Sequence, residues 1–122
     1  MKRDEWKTIV VDNAIGIGVY REEFEPVIDS LSIILEQRDK TMEDYIRTGE
    51  HPVISHTNKG GATNIVKNPL LCLWSELNKD ALAYWRDLGL TPSGLKKLNE
   101  NAVVVKTEEQ STLSKILESI KE

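Results

Sequence analysis

At 122 residues the chain has room for one domain with a modest core, folding of which buries about two-thirds of the unfolded surface, and leaves no room for a second. Hydrophobic content of 39% and charged content of 30% exclude wholesale disorder, while the longest apolar runs, such as Leu70 to Trp74 and Ala102 to Val105, are far too short to span a bilayer. A formal charge of −4 excludes a generic phosphate binder, and the lone Cys72 excludes an intramolecular disulfide and, with it, most structural metal clusters; a reducing cytoplasm fits, and the charged start does not read as an export signal.

Asp4 is placed to cap a short helix whose apolar residues Trp6, Ile9 and Val10 share a face, ending before Gly16 and Gly18. From about Glu22 the positions Phe24, Ile28, Leu31, Leu35, Met42 and Tyr45 recur in steps of three and four, and Pro26 falls in the first turn where it is tolerated. This predicts an amphipathic helix to near Gly49, about 39 Å long at 1.5 Å per residue, longer than a domain of this size requires, so part of its stripe is expected to meet another chain. His51 to Val66 changes character: Val53, Ile54, Thr57, Thr63, Ile65 and Val66 flank the turn-forming Asn58-Lys59-Gly60-Gly61, the pattern of a small hairpin, so two short strands or an extended loop are expected.

Asn68 then caps, and Pro69 opens, a helix carrying Leu70, Trp74, Leu77, Ala81, Tyr84 and Leu88 on one face, widened by Leu71, Leu82 and Trp85 and stopped by Gly89. This is expected to be the core helix. Thr91-Pro92 repeats the cap-then-proline start for a short helix bearing Leu95 and Leu98, with Lys96 and Lys97 on its other side. The organisation expected is a helical oligomerisation core over 1–99 with a hairpin at about 51–67, a linker at 100–106, and a C-terminal amphipathic helix at 107–122. In that last helix Thr107 and Gln110 have capping-box spacing, and Leu113, Ile116, Leu117 and Ile120 form one apolar face. The fold class is mainly α.

Catalytic patterns are not met. Lys59-Gly60-Gly61 lacks the spacing of a phosphate loop. His51 and His56 have no third and fourth ligand for a metal, and Ser55 next to His56 in an extended segment puts nucleophile and base on opposite faces. Glu22, Glu23, Glu25, Glu36, Asp39, Glu43 and Asp44 read as solvated helix surface, and Trp74, Tyr84 and Trp85, at helical spacing, read as core before they read as base-stacking platforms. No cofactor, no metal and no enzymatic activity are expected.

Charge is unevenly placed. Residues 1–50 hold seven Lys/Arg against twelve Asp/Glu, residues 51–99 six against three, and residues 100–122 three against five. Lys59, Lys67, Arg86, Lys96 and Lys97 are therefore the first candidates for DNA contact, with Lys2, Arg3 and Lys7 as a second patch. The face of Leu113, Ile116, Leu117 and Ile120 is the candidate for docking a protein partner.

Two runs, Thr57-Asn58-Lys59-Gly60-Gly61-Ala62-Thr63-Asn64-Ile65-Val66-Lys67-Asn68-Pro69 and Ala83-Tyr84-Trp85-Arg86-Asp87-Leu88-Gly89-Leu90-Thr91-Pro92-Ser93-Gly94-Leu95-Lys96-Lys97, lie within Pro52 to Leu98, a stretch that resembles the small subunits of tailed-phage terminases. The resemblance implies a non-enzymatic subunit in the host bacterial cytoplasm that forms a homo-oligomeric ring, recognises double-stranded viral DNA and regulates the ATPase and nuclease of the terminase large subunit. Residues 1–20 supply at most one helix, so the amino-terminal helix-turn-helix of many relatives does not carry over. The alternative expectation is a helical oligomeric adaptor of prophage origin that does not touch DNA.

Overall fold

Among the residues that the computed structural model describes, 1–101 together with 116, 117 and 120, helix α1 (Arg3–Gly16) leads through a 3-10 turn (Glu22–Phe24) into the long helix α2 (Glu25–Arg47). Strands β1 (Val53–Thr57) and β2 (Thr63–Lys67) follow, then α3 (Pro69–Asp87) and a short helix α4 over residues 92–101. The expected hairpin and the cap-then-proline helix starts are therefore present. The expected C-terminal helix lies mostly outside the described residues, as do Leu113 and residues 102–106 of the expected linker; Ile116, Leu117 and Ile120 are helical. The helix α4 continues through Asn101, two residues into that linker.

Helices α1, α2 and α3 stop in the same way. Gly18, Gly49 and Gly89 take φ of +78°, +108° and +79°, and the next residue donates its N–H five residues back, Val19 to Ala14, Glu50 to Tyr45 and Leu90 to Trp85. That closure satisfies the last carbonyls and requires a left-handed residue that glycine adopts without a Cβ clash.

The start of α1 corrects the reading of the sequence. Asp4 lies inside the helix and Lys2 stands at the cap position without a side-chain bond. The cap comes from α2: Glu36 Oε2 accepts the Arg3 N–H at 2.8 Å while its Oε1 accepts the Arg3 guanidinium at 2.9 Å. Only 10% of the Glu36 side chain is exposed, so this carboxylate is not the solvated charge expected of it. It satisfies an orphan amide and the positive end of the helix dipole together, from 33 residues away, where local spacing cannot reveal it.

Helix α2, at 23 residues about 35 Å long, is the centre of the fold. It packs against both α1 and α3 and supplies Ile28, Leu31 and Leu35 to a buried cluster completed by Val10, Ala81 and Leu88. Helix α3 is a core helix as expected, with its stripe covered unevenly: Ala81 is buried and Tyr84 and Trp85 pack against the cluster, while Leu70, Leu71, Trp74 and Leu77 are half-buried and Leu73 is 45% exposed. The polar contacts between α1 and α2 run from Glu25 to Asp39 of α2, so three helices overlap only along that length. Beyond it α2 and the start of α3 form a two-helix layer in which Met42 and Tyr45 are half-buried and Ile46 is exposed.

Arg38 joins the three helices. Its guanidinium sits 5.6 Å from the Trp6 ring centre on α1 and donates to Asn78 Oδ1 on α3, while Trp6 Nε1 donates to Asp39 at 2.7 Å. The buried hydroxyls Ser32 and Thr41 donate to the carbonyls four residues back, Ile28 and Gln37, so burying them leaves no polar group unpaired.

Candidate functional site

The structure distributes the predicted basic residues over three places. The second patch is paired with carboxylates of α2 while staying at the surface: Arg3 is bound by Glu36, and Lys7 Nζ lies 2.9 Å from Asp29 and 3.1 Å from Glu25, which together hold its pKa well above the ordinary lysine value. Lys2 is exposed at the start of α1. Arg3 and Lys7 thus spend their charge on joining α1 to α2.

The same contacts carry a pH dependence. Glu36 is held below the ordinary 4.5 by the Arg3 side chain first and by the Arg3 amide second, and Glu25 is held low by the Tyr20 hydroxyl, which donates to it at 2.6 Å, and then by Lys7. A folded value below the unfolded one means the stabilisation is complete above the unfolded pKa and is lost as pH falls through the folded one. The melting temperature is therefore expected to fall on acidification below about pH 4.5, and Glu36→Gln, which keeps an acceptor for the amide but cannot ionise, is expected to flatten that part of the profile. A variant with an unchanged acid limb in thermal melts followed by circular dichroism would contradict the assignment.

The second place is the hairpin. Its strands pair antiparallel with Val53 opposite Lys67, Ile54 opposite Val66, Ser55 opposite Ile65, His56 opposite Asn64 and Thr57 opposite Thr63. Ile54 and Val66, a cross-strand pair, are half-buried, and the other side chains of both strands are exposed. Asn58 holds the tip: its Oδ1 accepts from Gly60 N–H and Ala62 N–H, both at 3.0 Å, and its own N–H donates to the Ala62 carbonyl. Asn68 holds the foot, donating from Nδ2 to the His51 carbonyl and from its N–H to the Pro52 carbonyl, while its Oδ1 accepts the Leu70 N–H and caps α3. Lys59 is therefore at the tip and Lys67 at the foot, and residues 51–75 contain no Asp or Glu. Lys67 and Val53 also line a hollow of about 540 Å³ with Leu71, Cys72, Glu76 and Lys79 of α3. Lys79 was missed by the sequence reading, because its helix carries Glu76 and Asp80 beside it and only the fold brings it near Lys67.

The third place is the junction of α3 and α4. Thr91 Oγ1 accepts the Gly94 N–H at 3.1 Å and caps α4, with Pro92 in the first turn. Arg86 and Lys97 line a hollow of about 400 Å³ with Asp87, Ser93 and Leu98. Lys96 is exposed nearby in sequence. Among the described residues no group of three or more His, Cys, Asp and Glu side chains is placed to hold a metal ion, and no helix is long and apolar enough to cross a membrane.

A model of the phage terminase small-subunit family matches residues 3–104, which takes in α1 to α4 and the hairpin. The chain belongs to that family. No curated protein and no solved structure matches it. In this member of the terminase small-subunit family the run Asp87-Leu88-Gly89-Leu90-Thr91-Pro92-Ser93-Gly94 acquires a physical meaning residue by residue. Leu88 enters the core, Gly89 closes α3, Thr91 and Pro92 start α4, and Gly94 brings the two helices close enough that an added Cβ would strike the Arg86 carbonyl.

Proposed function

We propose that the chain is the DNA-recognising, non-catalytic subunit of a phage packaging motor, assembling as a homo-oligomeric ring in the host bacterial cytoplasm and regulating the ATPase and nuclease of the large subunit. Membership of the terminase small-subunit family supports this reading. The observation that carries its DNA half is the uninterrupted acid-free run 51–75, which bears Lys59 and Lys67 at the two ends of an exposed hairpin in a chain that is otherwise acidic. Lys96 and Lys97, with Arg86, form a separate basic place at the α3–α4 junction, at the other end of α3 from the hairpin.

The two-helix layer at the end of α2 and the start of α3 supports self-assembly. Ile46 and Leu73 are 53% and 45% exposed there, and Trp74 and Leu77 are half-buried, an apolar surface that a neighbouring subunit closes in a ring. Leu117 and Ile120, helical and exposed, with Leu113 and Ile116 of the same sequence pattern, are assigned to the docking of the large subunit as an apolar helix face laid into a groove.

Replacing Lys59, Lys67, Lys96 and Lys97 together by Ala tests the DNA assignment. Each lost phosphate contact removes about 0.9 from the slope of log K against log salt, so the quadruple variant is expected to bind duplex DNA more weakly and with a slope shallower by roughly three to four. Light scattering of the wild-type chain is expected to give several times the mass of one chain. Unchanged affinity and slope would refute the basic surface, and a monodisperse monomer at micromolar concentration would refute the ring. An assembled protein that never binds DNA would instead favour an oligomeric adaptor of prophage origin.

A further inference from the structure

A two-stranded hairpin in water is marginal by itself, yet this one exposes almost all of its side chains. The half-buried pair Ile54 and Val66 fixes which face lies towards the protein. The alternation of a strand then places Ser55, Thr57, Thr63 and Ile65 on the opposite, exposed face, with Val53 and Lys67 at its foot, where they line the hollow beside α3. Thr57 and Thr63 oxygens lie 3.1 Å apart across the strands, and Ile65 in the middle is 76% exposed, a cost that the fold of the chain does not require.

The ribbon is also held at both ends before it meets anything: the tip by Asn58, the foot by the buried Asn68. Five paired residues span about 17 Å. The major groove of duplex DNA, about 12 Å wide, admits a two-stranded ribbon of this kind.

We infer that the β1–β2 ribbon enters the major groove of duplex DNA and that its outward face reads base edges. This rests on the DNA-recognising reading above and adds the element that performs it. The hydroxyls of Ser55, Thr57 and Thr63 donate to and accept from base edges, Ile65 packs on a thymine methyl group, and Lys59 and Lys67 meet phosphates from the two ends of the ribbon. The charge selects this occupant: the ribbon carries Lys59 and Lys67 and no carboxylate, and Glu76 of α3, which lines the hollow at its foot, is accompanied there by Lys67 and Lys79. A second copy of the chain seated on the same face would desolvate three hydroxyls and an ammonium group for one isoleucine and one valine.

The test uses the full chain and two duplexes of equal length, one carrying the packaging-start sequence of its phage and one scrambled, titrated at several salt concentrations. Lys59→Ala with Lys67→Ala is expected to weaken both duplexes alike and to lower the salt slope by about two. Ser55→Ala with Thr57→Val and Thr63→Val, which retains the β-branched residues, is expected to keep the affinity for the scrambled duplex and to lose about 10-fold or more of the preference for the specific one. Ile65→Thr, at a site too exposed to matter for folding, is expected to reduce that preference in part. A wild-type chain that binds neither duplex removes both readings. A wild-type chain that discriminates while all three variants keep its affinity, slope and preference removes the ribbon and leaves the DNA-recognising subunit standing. A drop in assembled mass of the triple variant, with its circular dichroism unchanged, would make the face a subunit contact and overturn the inference.

Discussion

Leu35→Ala is expected to lower the free energy of unfolding by about 2–5 kcal/mol, enough to remove a large part of the stability of a chain this size. Leu35 is 0% exposed in the middle of α2, where α1 lies on one side and α3 on the other. Both flanking helices are tied to α2 through polar contacts at Glu36, Arg38 and Asp39, one turn or less away, so neither is free to collapse into the space left behind. The cost therefore includes the cavity as well as the lost burial. Ile33, two residues earlier but 41% exposed, is the control: its replacement by Ala is expected to change stability by about 0.5 kcal/mol or less. Urea unfolding followed by circular dichroism checks both, and comparable losses at the two positions would mean that α2 is not sandwiched as described.

Gly94→Ala is the second large effect, and it operates by addition. A Cβ at Gly94 would collide with the carbonyl of Arg86 and come within 3.0 Å of Thr91 Oγ1. The principal obstacle is backbone at the end of α3, so no flexible side chain can move aside. Overpacking of this kind costs about 1–3 kcal/mol, and here it would also disturb the Thr91 cap that starts α4. Gly60→Ala at the hairpin tip is the matched control, because its nearest neighbour is the Asn58 side chain at 3.4 Å and its backbone is not left-handed. Thermal melts are expected to separate the two by several degrees; equal melting temperatures would show that α4 does not pack on α3 as closely as the geometry requires.

Where a structural signal is local, the sequence carried it. The Asn68-Pro69 and Thr91-Pro92 starts, the Asn58 to Gly61 turn and the glycine stops of α2 and α3 each depend on neighbours within a few residues, and each is found in the fold. Partnerships between distant residues were not legible. Glu36 looked like one more charge on an acidic helix until α1 arrived with an uncapped amide, and Arg3 and Lys7 looked like phosphate contacts until carboxylates of α2 lay beside them. How unevenly the core helix α3 is covered was equally illegible. Periodicity reports that α3 has an apolar stripe, but how much of it α2 covers depends on how the two helices pack, which the sequence of α3 alone does not encode. Of the basic residues, Lys59 and Lys67 were identifiable from charge; their position at opposite ends of one ribbon, and the face that Ser55, Thr57, Thr63 and Ile65 share with Lys67, required the strand register.

Asn68 leaves none of its hydrogen-bonding atoms idle. Its side chain holds the His51 carbonyl and the Leu70 amide, its N–H holds the Pro52 carbonyl, and its own carbonyl accepts from Leu71 and Cys72. The pivot of the ribbon and the first turn of α3 are therefore one residue. A torque applied at Lys59, five residue pairs away, reaches the helix with little slack, since loosening the foot breaks the helix start in the same motion. The hairpin is a lever clamped to α3, and whatever pulls on its tip pulls on the helix that packs against the centre of the fold.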